Sequence, residues 1–277
     1  MSNYFTEFQK VSKTDWEAKI VADLKGKNQD ILRISDAIEE IELSGYQHSE
    51  DIDHEDEIPG NFPYSRGMNK PDNSWNNGVL IEIEDEISAN RKALKALNSG
   101  ADLLVFKTIK PKTNWKTVLD QIEFDHIKTQ FIVTSPDELN ELKNSVNVER
   151  NEISFNIDFL EGQWTDASFQ KVADMFKASQ QQFCSISGFK LQQSGATTWQ
   201  EAAFSLGAGH EYLVKLMHLG FTIDQAAACI SFKIGIGSNY FYEIAKIRSL
   251  KRLWSKIVNA YSPEHACSHN CPITAVI

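Results

Sequence analysis

Four short stretches of this 277-residue chain carry side chains able to do chemistry. The first is SISGFKLQQSGA, Ser185 to Ala196, which reads as an apolar strand entering a glycine-containing turn and then a helix. Enzymes built of alternating strands and helices keep their reactive groups at such tips. This tip carries Phe189 and Lys190, where proton handling calls for a pair such as Tyr-His. Phenylalanine has no hydroxyl to donate, and an ammonium is a strongly hydrated point charge. A lysine withdrawn from water can act as a base or form a Schiff base. Two readings therefore stand at this point: chemistry through Lys190, or a strand end kept because the turn must fold. The second stretch, HACSHNC, sets His265, Cys267, His269 and Cys271 at every second position. Zinc motifs separate their ligand pairs with a turn and a longer spacer, so no metal is assigned. The third is the acidic run SEDIDHEDEIPG, with six carboxylates between Glu50 and Glu57. It lacks the spacing of a cation loop and reads as a solvated linker. A fourth motif, GAGH at Gly207 to His210, lies in a helical stretch. Close helix packing accounts for it better than a phosphate loop does, with His210 a partly buried helix residue and not a base.

The elements that must position these groups alternate. Strands are expected at Val79–Ile83, Leu103–Phe106, Gln130–Val133, Ile153–Ile157, Phe183–Ile186, Ile230–Ile234 and Ile273–Ile277. Helices are expected at Glu86–Ser99, Pro136–Lys143, Asp166–Ser179, Thr197–Leu219 and Tyr240–Ala260. Such alternation argues for parallel βα units. No G-x-G-x-x-G follows the first strand, which leaves the dinucleotide-binding version little support. The expected fold is α/β, a (β/α)8 TIM-type barrel. Only seven strands are counted, so the barrel is read as truncated after the seventh, because an exposed apolar edge at Ile273–Ile277 is a liability. Its interior is expected to be filled by Ile81, Ile83, Phe106, Phe155, Ile157 and Phe232. In the last helix Phe241, Ile244, Ile247, Leu250, Leu253 and Trp254 read as the packed stripe, with Lys246, Arg248, Lys251 and Arg252 on or beside it.

The acidic run divides the chain into an N-terminal arm and linker, 1–57, and a barrel domain, 58–277, incomplete at its C-terminus. In the arm Phe5, Phe8, Trp16, Ile20, Val21 and Leu24 recur at helical intervals, with Ser12 and Thr14 as caps and Gly26 as a stop. The arm is too short for a core of its own. With 38 acidic against 28 basic residues and a net charge of −10, the chain is repelled by nucleic acid and anionic lipid. No signal-peptide run or apolar stretch of about 20 residues is present, and four cysteines make no disulfide framework. A cytoplasmic protein is expected.

Four segments together resemble successive landmarks of the methylmalonyl-CoA mutase barrel, in the family's order. They are NFPYSRG (Asn61 to Gly67), SISGFKLQQSGAT (Ser185 to Thr197), EAAFSLGAGHEYL (Glu201 to Leu213) and SNYFYEIAKIRSLKRLWSKIV (Ser238 to Val258). The arm, through TDWEAKIVADLKGK and DILRISDAIEEIEL, is similar to that of the family's small, non-catalytic subunit. The resemblance spans nearly the whole chain and is weakest from Lys110 to Asn151.

The resemblance implies the adenosylcobalamin-dependent interconversion of methylmalonyl-CoA and succinyl-CoA, and it implies motif positions at Pro63, Tyr64, Arg66, Gly67, Ser187, Gly188, Gln192, Gly195, Glu243, Lys246 and Arg248. Three requirements of that reaction are unmet. No histidine has the aspartate two residues before it that Asp-x-His-x-x-Gly requires. Arg66-Gly67-Met68-Asn69 stands where the family reads Arg-Gly-Pro-Tyr, and Ser187-Gly188-Phe189-Lys190 stands for Ser-Gly-Tyr-His. The expectation is a chain without confident catalytic residues, without a cobalamin-binding domain and without directly bound cofactor. It would support a large catalytic subunit that holds adenosylcobalamin. The alternative is an acyl-CoA mutase or other barrel enzyme in its own right, using Lys190 and Arg66. Self-association of the isolated chain is also expected, through the apolar arm and the edge at Ile273–Ile277.

Overall fold

The computed structural model describes residues 9–51, 58–68, 75–110, 112–146, 152–161, 164–179 and 181–277. Phe5, Phe8 and the greater part of the acidic run lie outside these residues. The chain forms two compact units, Met1–Glu57 and Ile58–Ile277.

In the first unit α1 spans Lys13–Leu24. Ser12 caps it by accepting the Asp15 N–H at 3.2 Å, and Lys25 ends it in the left-handed region at φ 51°. Strands β1 (Ile34–Asp36) and β2 (Ile41–Leu43) pair antiparallel. Trp16 meets Tyr46 edge-on at 5.0 Å and His48 at 5.5 Å. None of the described residues of this unit is buried, and Val11, Val21, Ile31, Ile34 and Ile38 are exposed.

The second unit alternates strand and helix: β3 (Gly78–Ile83), α2 (Glu86–Asn98), β4 (Leu103–Thr108), α3 (Trp115–Val118), β5 (Lys128–Ile132), α4 (Pro136–Ser145), β6 (Ile153–Asn156), α5 (Asp166–Phe176) and β7 (Cys184–Ser187). There follow α6 (Gly188–Gln193), α7 (Thr198–His218), α8 (Ile223–Ala228), β8 (Ile230–Gly235), α9 (Tyr240–Asn259) and β9 (Ile273–Val276). Strands β3 to β6 pair in parallel and in chain order, as do β7 to β9. The Ile157–Cys184 bridge joins the two groups. Among the described residues β9 and β3 do not pair, so the sheet is parallel α/β without the closure expected of a barrel.

Polar caps start the helices, and the structure adds three short ones that were not expected, α3, α6 and α8. Thr165, Thr197 and Thr222 each form a capping box with the residue three positions on, satisfying N–H groups that the first helical turn leaves unpaired. The interior of the sheet differs from expectation. Ile81, Phe106, Phe131 and Phe155 share one register row. Phe106 and Phe131 abut Trp115 of α3, Phe155 lies 5.1 Å from Phe176 of α5, and Phe232 lies 5.1 Å from Trp254 of α9. These residues are buried under the helices, not against one another across a barrel axis. The opposite face carries Glu82, Lys107, Gln130, Asn156, Ser185, Ser231 and Lys233. The two-residue alternation of strands such as ISFK and SIS separates an apolar from a polar face in β7 and β8, while in β3 to β5 the second face is mixed, with Leu80, Val105 and Ile132 beside the polar residues.

In α9 the buried residues are Glu243, Lys246, Leu250, Trp254, Ser255 and Val258, while Phe241 and Leu253 are exposed. The apolar stripe read from the sequence is thus rotated, and Lys246 lies within the buried face. His210 is exposed and shares a hydrogen bond of 2.7 Å with the Tyr261 hydroxyl, against the expected partial burial. Gly209 does serve close packing: a Cβ there would stand 2.9 Å from Phe232 and 3.1 Å from Trp254, whereas one on Gly207 would meet nothing within 4 Å.

Two measurements check these statements. Gly209→Val should destabilise the chain by about 1–3 kcal/mol in urea unfolding through overpacking, and Gly207→Ala should stabilise it by up to about 1 kcal/mol. Light scattering over a dilution series should show concentration-dependent association of the isolated chain, weakened when residues 1–26 are removed. A strictly monomeric intact chain would count against exposed apolar groups as the cause.

Candidate functional site

The motif Ser187-Gly188-Phe189-Lys190 lies at the C-terminal end of β7, with Gly188 opening α6 directly, and not in a turn as the sequence suggested. The turn comes later, at Gly195, whose φ of 95° suits glycine. Gly188 is required sterically. A Cβ there would come within 2.5 Å of Ser205 Oγ and 3.0 Å of Glu201 Cγ and Ile234 Cδ1. Gln192 packs in the same way on Gly235, where a Cβ would stand 2.7 Å from its Oε1.

Beneath this helix is a buried ion network. The Lys246 ammonium lies 2.6 Å from Glu201 Oε2, 2.7 Å from Glu243 Oε2 and 2.7 Å from the Gly235 carbonyl. Glu201 Oε1 accepts the Gly235 N–H at 2.8 Å. Glu243 and Lys246, two of the motif positions, therefore hold α7, α9 and the end of β8 together. Arg248 of the same helix is exposed.

The segment holding Pro63, Tyr64, Arg66 and Gly67 folds as consecutive turns. Its Pro63 carbonyl accepts the Ser255 hydroxyl at 2.5 Å, and Tyr64 packs 5.5 Å from the His269 ring. Gly67 needs its φ of 88°. Arg66 is exposed. HACSHNC is wound as a short 3-10 turn, Ala266–His269, around Asp224, which accepts the N–H groups of Glu264 and His265 at 3.1 Å each. Its alternating residues do not form one ligand face, and no cluster of three or more potential metal ligands occurs among the described residues.

At the tip itself Lys190 is exposed and ion-paired to Glu161. It lacks the desolvation that Schiff-base or general-base chemistry requires. The desolvated lysine is Lys233 of β8, which sequence reasoning passed over. Its ammonium lies 5.6 Å from the centre of the Phe189 ring. Burial holds its pKa below the usual lysine value, and repulsion from Lys107 and Lys190 adds to this. Lys107 is itself paired with Glu82 at 2.8 Å. Asp158 accepts the N–H groups of Leu160 and Ser187, each at 3.1 Å, yet burial raises its pKa. The signal for Lys233 was present in the sequence as a cation alternating with Phe232 in an otherwise apolar strand.

Comparison with known proteins bears on this region. Residues 165–274, from the start of α5 into β9, match the family described as methylmalonyl-CoA mutase. The resemblance is to methylmalonyl-CoA mutases. The methylmalonyl-CoA mutase small subunit of Porphyromonas gingivalis is 29% identical over 94% of this chain and 46% of its own length. The methylmalonyl-CoA mutase of Rhizobium meliloti is 43% identical, and the large subunit of Propionibacterium freudenreichii subsp. shermanii 41%. These two matches cover 30% and 29% of this chain, and 12% and 11% of those proteins. The chain thus spans about half or less of the length of the methylmalonyl-CoA mutase relatives it matches. A dihydropteroate synthase from Coxiella burnetii matches at a TM-score of 0.37 and 15% identity over 72% of each chain, too slight to bear on fold or function. Among the described residues no helix is long and apolar enough to cross a membrane.

The ion network gives a direct prediction. Lys246→Met leaves two buried carboxylates without their cation and should cost about 3–5 kcal/mol in chemical unfolding. Arg248→Met, on the exposed side of the same helix, should change stability by no more than about 0.5 kcal/mol.

Proposed function

We propose that this chain is a non-catalytic small subunit of a methylmalonyl-CoA mutase, with its second unit the seven-strand part of a (β/α)8 barrel, working in the cytoplasm. Its role is to support a larger subunit that binds adenosylcobalamin and carries out the interconversion of methylmalonyl-CoA and succinyl-CoA. The observation that carries this reading is the match to a small subunit along 94% of the chain. The state of the tip supports it: Phe189 has no hydroxyl to donate or accept a proton, and the exposed Lys190 is paired with Glu161.

The donor chemistry does not fit direct cobalamin binding. No histidine stands in an Asp-x-His-x-x-Gly motif. The ring nitrogens of His269, the most buried of the described histidines, face the Ala266 carbonyl at 3.1 Å and Asn259 Oδ1 at 3.3 Å. These residues support no cofactor-dependent step in this chain, and in this proposal the cofactor belongs to the larger partner. An independent enzyme using Lys190 and Arg66 is less well supported, since both side chains are exposed.

Co-purification of the tagged chain from its source cell should bring down a larger chain with the absorbance of cobalamin. The isolated chain mixed with adenosylcobalamin should show no spectral change and no mutase turnover. Turnover by the isolated chain would overturn the proposal.

A further inference from the structure

Lys233 has neighbours of one chemical kind on the polar face of the sheet. Its register partners are Ser187 on β7 and Thr274 on β9. Adjacent strands lie about 4.8 Å apart, so the three residues form a row of backbone positions across three strands. All three residues are partly buried. Among the described residues none of the three side chains has a hydrogen-bonding or ion-pairing partner, whereas Lys107 and Lys190 have Glu82 and Glu161. The face of Phe189 closes one side of the ammonium. Ser187 ends β7, Lys233 lies within β8 and Thr274 near the start of β9.

We propose that Ser187, Lys233 and Thr274 form a binding site for a small carboxylate, whose oxygens accept from the ammonium and the flanking hydroxyls. A half-buried cation without a counter-ion is costly, and the repulsion of Lys107 and Lys190 adds to that cost. One monoanion offsets it. A phosphate dianion would call for a second uncommitted cation, and the other two lysines already hold carboxylates. Two neutral hydroxyl donors beside one ammonium match the two oxygens of a carboxylate. This inference does not depend on the proposed subunit role, because it concerns only this chain in isolation.

The test follows the side-chain nitrogen and ε-carbon of Lys233 by NMR in the full chain with labelled lysine, the signal being assigned by its loss in Lys233→Met. Acetate is added at constant ionic strength against chloride. The Lys233 signal should move saturably while that of exposed Lys10 drifts only linearly, and the titration midpoint of Lys233 should rise. Binding should be lost as pH rises through that midpoint, since only the ammonium attracts the anion. Ser187→Ala combined with Thr274→Val should weaken acetate at least tenfold, through loss of two hydrogen bonds to a charged group. If that variant does not fold, the native titration alone decides. A Lys233 signal that drifts like Lys10 would overturn the site, and a response to inorganic phosphate tighter than to acetate would overturn the assigned ligand class.

Discussion

The second unit is organised around one buried ammonium. Lys246 has three N–H donors and no acceptor; it donates to Glu201 and the Gly235 carbonyl and is ion-paired with Glu243 at 2.7 Å. Removing such a charge from water costs several kcal/mol unless its partners are placed to within hydrogen-bonding distance. That demand fixes more than the three residues. Glu201 must sit on the buried face of α7 and Glu243 on that of α9, with the end of β8 between them. Gly188 must then lack a side chain, because α6 crosses close above Glu201 and Ser205, and Gly235 must lack one where Gln192 descends. Much of the motif that links this chain to methylmalonyl-CoA mutases is accounted for by this arrangement alone. Chemistry need not be invoked for Gly188, Gln192, Glu243 or Lys246.

The sheet divides labour between its faces. On the helix side an aromatic series runs Phe106, Phe131, Phe155, Phe176, Phe183, with successive ring centres 5.1 to 6.0 Å apart. Burying each such ring contributes roughly 1.5–3 kcal/mol, and favourable ring geometry adds to this. The other face forgoes that gain. It spends strand positions on Glu82, Lys107, Gln130, Asn156 and Lys233, which pair only in part: Glu82 with Lys107, and Asn156 with Gln130 at 3.1 Å. Leu80, Val105 and Ile132 share this face with the polar residues, so it is mixed and lacks the continuous Val, Leu and Ile layers of a barrel core.

The order of the seven strands and of the longer helices was legible because each carries its own period, whereas α3, α6 and α8, of four to six residues, are too short to show one. Boundaries agree to within two residues for most strands. What could not be read was direction. The sequence shows that Phe232 alternates with polar residues and that Ile81 and Phe106 are each followed by a charged one, but not which side of the sheet the helices cover. The assumption that barrel strands point their large apolar residues inward placed them on the wrong face. The same limit applies to α9, where a count of apolar residues picked Phe241 and Leu253. The ion network instead turned Glu243 and Lys246 inward, a tertiary constraint with no local signature. The short helix α6 was hidden because Gly188 suggests a turn until its packing neighbours are known.

The two lysines near Phe189 show how far a motif can carry a chemical argument. Alignment of landmarks points to Lys190, because it occupies the position of an imidazole in the resembling family. Its environment removes the interest: exposed, and neutralised by Glu161, it is an ordinary ammonium. Lys233 occupies no quoted motif position, yet the parallel register sets it between Ser187 and Thr274, burial destabilises its charge, and Phe189 covers it. The ring that makes Phe189 useless as an acid is suited to this other task, since an aromatic face attracts a cation without neutralising it. A phenol there would bring a donor and acceptor of its own next to the ammonium and compete for its anion. The residue at position 189 is thus compatible with loss of proton handling and with the proposed anion-accepting site, to which the motif contributes Ser187 and Phe189 and the strand register adds Lys233 and Thr274.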